Sequence, residues 1–207
     1  MEDTAVEKSR ADVIMERKLR LVKEQASIVL SPKMRDLHLL TQILFTTDKT
    51  INRMRMNAGT VCMPLFELEE ANERITRFTS KVRAFTSALG GTNFYMSPGS
   101  SPAEKEILAR RRNAYVFMPK TSEGAALANI FISLDSAYCE FKIKSPLQDI
   151  RKLGEAIDTM KEIVREFRDL TSDLAAKAQV RFVEPEGLAG YLKTMPDDER
   201  SAAGEEA

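Results

Sequence analysis

One run in this chain, Val22 to Leu30, alternates with a period of two, while the long patterned segments follow helical spacing. Val22, Ala26, Ile28 and Leu30 fall on one face, and Lys23, Gln25, Ser27 and Val29 on the other. Alternation with Ile-Val at its centre predicts a strand. Glu24 interrupts the apolar face, so the paired part begins near Gln25. A single strand leaves rows of backbone N–H and C=O groups that must find partners. Val180–Val183 is a further short β-like run, too short for a convincing partner. The reading that follows is an antiparallel pair made with the same strand of a second copy, so that the chain dimerises.

The segments around the strand read as helices. Residues 1–21 form an N-terminal arm with weak helical character. Ser31-Pro32 opens a helix, Ser as N-cap and Pro at the first position, with Met34, Leu37, Leu40, Thr41, Leu44 and Phe45 on one stripe. Thr46-Thr47-Asp48-Lys49 reads as a turn, and Thr50 as the cap of a second helix ending near Gly59. Ala71, Ile75, Phe78, Val82, Phe85 and Leu89 mark a third helix. A breaker-rich loop over 90–101 precedes a short helix from Pro102 to about Arg112, and Glu123 to Phe141 is another helix. Ser145-Pro146-Leu147-Gln148 has the order of a capping box, behind which Ile150, Leu153, Ile157, Met160, Val164, Phe167 and Leu174 keep a stripe broken only by Thr171. The expected class is mainly α. Its parts are an arm over 1–21, a strand–helix–helix unit over 22–64, a helical extension or dimerisation bundle over 65–178, and a C-terminal segment over 179–207 with a disordered acidic tail.

Composition narrows the function classes. Hydrophobic residues at 43% and charged residues at 30% describe an ordinary globular protein. No apolar run is long enough for a transmembrane helix, and the N-terminus lacks a secretory pattern, so a cytoplasmic location is expected. Lys plus Arg equals Asp plus Glu at 31 each, so nucleic-acid affinity has to come from local clusters such as Arg17, Lys18, Arg20 and Lys23. His38 is the only histidine, which leaves no Ser-His-Asp or Cys-His set to assemble around a second one. Cys62 stands in an apolar setting that predicts an inert thiol, and Cys139 is expected to pack. No metal, cofactor or enzymatic chemistry is expected. Arg110-Arg111-Arg112 near a helix end reads first as a complement to the helix C-terminus or a partner for nearby acids, ahead of phosphate contact.

Strand, Ser-Pro helix, turn and Thr-capped helix, in that order, resemble the ribbon-helix-helix module of Arc- and MetJ-type repressors, in which paired strands enter the major groove. On that resemblance Lys23, Gln25 and Ser27 face base edges, chemically suited to guanine, adenine and either base respectively. Arg20, Thr50, Asn52 and Arg53 would contact phosphates. Gln25-Ala26-Ser27-Ile28-Val29-Leu30, Leu134-Asp135-Ser136-Ala137-Tyr138 and the helical part that follows are similar to the AcaB-like regulators of conjugative plasmids and integrative conjugative elements. This resemblance implies a homodimeric, nucleoid- or plasmid-associated activator of transfer genes, with double-stranded DNA and RNA polymerase as partners. A competing class is a helical interaction or scaffold protein that does not touch DNA.

Overall fold

A computed structural model describes residues 9–24, 26–90, 101–145, 149–185 and 187–188. Its elements are α1 (Arg10–Val22), β1 (Ile28–Leu30), α2 (Arg35–Asn57), α3 (Leu65–Ala88), α4 (Pro102–Ala109), β2 (Tyr115–Phe117), α5 (Ser122–Lys144) and α6 (Ile150–Lys177). The class is mainly α with one small antiparallel sheet. The strand finds its partner inside the chain: β1 pairs with β2 in the register Ile28↔Phe117, Val29↔Val116, Leu30↔Tyr115. Pairing across a dimer is therefore not needed to satisfy the ladder.

The element order is helix–strand–helix–helix, twice. Adding 87 to Ile28–Leu30 gives Tyr115–Phe117, and adding 87 to Arg35–Asn57 gives Ser122–Lys144. A turn shorter by two residues moves the relation to 85 for the third helices, so that Leu65 corresponds to Ile150. Identical pairs at these spacings include Val29/Val116, Pro32/Pro119, Lys33/Lys120, Leu40/Leu127, Ile43/Ile130 and Asp48/Asp135, then Leu68/Leu153, Ala71/Ala156, Thr86/Thr171, Ser87/Ser172 and Leu89/Leu174. Val29 lies opposite Val116, its own counterpart, so a pseudo-two-fold axis passes between them. The chain holds both halves of a pseudo-dimer.

Packing joins the two halves rather than separating them. The main helix interfaces are α2 with α6, its counterpart α5 with α3, and α2 with α5. Along α3 and α6, Glu67 meets Lys177 at 2.6 Å, Arg74 meets Asp173 at 2.8 Å and Lys81 meets Glu166 at 2.5 Å, an order that makes the two helices antiparallel. Beneath these pairs Phe78 stacks on Phe167 at 4.8 Å, and Phe131 meets Phe167 edge-on at 5.2 Å. One core runs from Leu30 through Phe167 to Leu188, so position 64 is not a packing boundary. Val180 and Phe182 pack on that core as irregular chain rather than as a strand.

Two buried aspartates fix how the halves meet. Asp135 of α5 accepts hydrogen bonds from the backbone N–H of Lys33 (3.0 Å) and Met34 (3.2 Å), at an α2 start that has no side-chain cap of its own. Asp48 of α2 accepts from Lys120 N (2.8 Å), Thr121 N (3.0 Å) and Thr121 Oγ1 (2.7 Å) at the start of α5. Each half thus caps a helix of the other, and the carboxylates sit where helix N-termini are electropositive.

These caps correct the sequence reading of the first helix. Ser31-Pro32 does not open α2; the helix begins at Arg35. Thr46–Lys49 is not a turn, because α2 continues to Asn57. Thr47 and Asp48 are polar yet buried, and each has a partner from another element. Likewise α6 is capped by Asp149, whose carboxylate accepts from Arg151 N and Lys152 N. Ser145 instead ends α5, and 146–148 lie outside the described residues. Cys62 is exposed rather than set among apolar groups, and Cys139 is half-buried.

Thr171, the break in the α6 stripe, is wholly buried. Its Oγ1 lies 2.6 Å from Thr47 Oγ1, which itself donates to Ile43 O at 3.1 Å. Thr47 has one proton, so Thr171 must be the donor between them. Thr47→Val removes that acceptor and should cost roughly 2 kcal/mol in urea denaturation, whereas the Thr47→Val/Thr171→Val pair should recover most of the loss. A double variant as unstable as the sum of its singles would refute this account.

Candidate nucleic-acid interface

The ribbon has no open face. Leu30 and Phe117 enter the main core with Ile28 and Tyr115 packed against it. On the other side Val29 is buried with Val22, Ala109 and Ala114, and Val116 packs there too. Helices α1 and α4 therefore cover the side that a groove-reading ribbon would present. Of the three base-reading residues expected from the sequence, Lys23 is the exposed C-cap of α1. Ser27 is 2% exposed and donates to Glu24 O at 2.9 Å, and Gln25 lies outside the described residues. The strand is three residues long, so Val22 and Lys23 belong to the end of α1 rather than to a strand, and exposed Lys23 and buried Ser27 do not share one surface.

The expected phosphate contacts separate in the same way. Thr50 is buried inside α2, where helical bonding leaves it no free backbone amide to offer an anion. Arg20 is exposed in the last turn of α1. Asn52 and Arg53, by contrast, line a groove of about 340 Å3 together with Lys49, Met56, Lys120, Gln179, Val180 and Arg181. On α2, residues 49, 52, 53 and 56 follow the i, i+3, i+4, i+7 spacing that puts side chains on one helix face. Lys120 joins them because Asp48 holds its backbone N–H, and Arg181 arrives from the chain just beyond α6.

Four cations and no carboxylate line this groove, in a chain whose charges otherwise balance. Convergent positive charge raises the local potential for an anion. Gln179 turns the chain into the groove with φ 53°, a left-handed conformation uncommon outside glycine. The counterparts of Lys49, Asn52 and Arg53 across the pseudo-axis are Ser136, Cys139 and Glu140, so the symmetry-related position lacks both α2 cations and carries a carboxylate. Sequence reasoning missed Lys49, Lys120 and Arg181, which come from three separate elements; the helical spacing of Lys49, Asn52 and Arg53 was the available signal.

Arg110 pairs with Glu106 at 2.9 Å as the α4 cap, while Arg111 and Arg112 are exposed. Among the described residues no group of three or more His, Cys, Asp or Glu could hold a metal ion, and no helix is long and apolar enough to cross a membrane. His38 Nδ1 lies 3.1 Å from the Tyr115 hydroxyl, tying α2 to β2. Comparison with protein-family models, curated proteins and solved structures finds no match for this chain.

Proposed function

We propose that this protein binds double-stranded DNA through the Lys49–Arg53–Lys120–Arg181 groove and acts as a transcriptional regulator. The observation that carries the reading is the convergence of four cations from three elements on one carboxylate-free groove. Lys and Arg contacts to phosphates supply sequence-independent affinity, and they fix register. The antiparallel pairing of two equivalent strands, each leading into a long helix, supports a single-chain relative of the ribbon-helix-helix architecture. Regulation of conjugative-transfer genes, as activator and with RNA polymerase as partner, rests on the similarity of Gln25–Leu30 and Leu134–Tyr138 to AcaB-like regulators. Further dimerisation of the pseudo-dimer would place two such grooves on one DNA.

Fluorescence anisotropy of a labelled duplex across a salt series tests this. Log affinity should fall linearly with log salt, and Lys49→Ala, Arg53→Ala or Arg181→Ala should each lower the slope by about one. An Arg20→Ala/Lys23→Ala/Arg112→Ala variant should bind nearly as wild type. Absence of duplex binding at low salt would overturn the proposal, and loss of binding only in the second set would move the interface to α1 and α4.

A further inference from the structure

A cleft of about 220 Å3 lies between β1, the start of α2, α5 and the end of α4. Leu30, Leu37, Leu108 and Phe131 contribute apolar edges to its lining, and Lys33 and Arg111 line it too. Both cations are exposed. Asp135 also borders it, but its two oxygens are engaged by the backbone N–H groups of Lys33 and Met34 at 3.0 to 3.2 Å. The lining combines apolar side chains with two cations, a composition found in small-molecule sites.

The pseudo-two-fold supplies a comparison within the same molecule. At the counterpart position Ser31 is replaced by Met118, Ile132 by Phe45 and Leu30 by Phe117. Phe45 packs edge-on against Phe117 at 5.2 Å there, so larger side chains occupy that space. Arg111 has Glu24 as its counterpart, so the charge reverses as well. Of the two symmetry-related positions, one has larger side chains and Glu24 with Lys120, and the other has smaller side chains and Arg111 with Lys33.

We infer that the open cleft binds an apolar-bodied carboxylate, its head group held by Lys33 and Arg111 and its body laid on Leu30, Leu37 and Phe131. A guanidinium takes a carboxylate through two parallel N–H···O bonds, and the apolar lining removes the apolar body from water. A short acyl chain and an aromatic acid offer the same head group, so the length and shape of the apolar lining decide between them. This site does not rest on the nucleic-acid reading, since it shares only the fold with the basic groove.

Isothermal titration of the full chain with sodium octanoate, sodium benzoate, 1-octanol and octylammonium chloride separates the possibilities. Octanoate or benzoate should bind, the better of the two naming the body, and octanol should bind at least about tenfold more weakly. Arg111→Glu, which installs the counterpart residue at an exposed position, should weaken the carboxylate about tenfold and leave octanol unchanged. Ser31→Met should weaken octanoate and octanol alike by filling the cleft. No carboxylate binding at millimolar concentration, equal binding of octanoate and octanol, or an Arg111→Glu variant that binds as wild type would each overturn the proposal.

Discussion

Gly124→Ala should destabilise this protein by about 3 kcal/mol or more, an unusual cost for one added methyl group. A Cβ built on Gly124 meets Asp48 Oδ1 at 2.2 Å and Cγ at 2.7 Å. Asp48 cannot retreat without giving up its three bonds to Lys120 and Thr121. Thr121 Oγ1 in turn accepts from Gly124 N at 3.0 Å, so the whole first turn of α5 would shift. Leaving buried donors unpaired costs about 1–3 kcal/mol each. Asp48→Ala should therefore be comparably harmful, and Gly124→Ala/Asp48→Ala should cost clearly less than the sum of its singles, because the carboxylate contacts are gone and only the tight 3.0 Å contact with the residue-48 Cβ remains. A chemical-denaturation cycle reads this directly, and additive losses would show that the contact does not limit the site. Lys120 follows Asp48, so the same variants should also weaken duplex binding if the basic groove is the interface.

The long amphipathic helices were legible because their apolar stripes repeat over several turns, and α3, α5 and α6 lie close to where Ala71–Leu89, Glu123–Phe141 and Ile150–Leu174 place them. What was illegible depends on partners far along the chain. Thr47 and Asp48 look like a turn by local preference, since such side chains compete with helical backbone bonding. In the folded protein they are satisfied by Thr171 and Thr121, and the helix continues through them. The strand was recognised, but Tyr115-Val116-Phe117, between an arginine triplet and Met118-Pro119, offers too short an alternation to identify its partner. The internal repeat escaped notice because its identities are scattered and its spacing changes from 87 to 85 at the α2–α3 and α5–α6 turns. Pro32-Lys33 with Pro119-Lys120, and Asp48 with Asp135, were the signals that would have exposed it. Of the candidate site, Asn52 and Arg53 were foreseen for phosphate contact, whereas Lys120 and Arg181 enter the groove only through tertiary packing.

Asp135 should make the stability of the protein rise as pH falls toward the carboxylate range. Burial, the largest influence, outweighs the hydrogen bonds from Lys33 and Met34 and the positive charge of Lys33, so its pKa is raised above the ordinary aspartate value. A carboxyl group whose folded pKa is raised favours the folded state most when protonated. That contribution is complete below the unfolded pKa, near 3.9, and is lost as pH climbs through the raised folded value. Asn at this position keeps an oxygen for the α2 amides but cannot titrate. Asp135→Asn should therefore stay within about 1 kcal/mol of wild type at pH 7, and wild type should gain on it steadily as pH drops. Asp135→Ala removes the acceptor altogether, strands the N–H groups of Lys33 and Met34, and should cost about 3 kcal/mol at pH 7. Guanidinium titrations of the three proteins at several pH values between 4 and 7 distinguish these outcomes. A wild-type-minus-Asn difference that is flat with pH, or that grows as pH rises, would show that the carboxylate is held by its hydrogen bonds more firmly than burial opposes it.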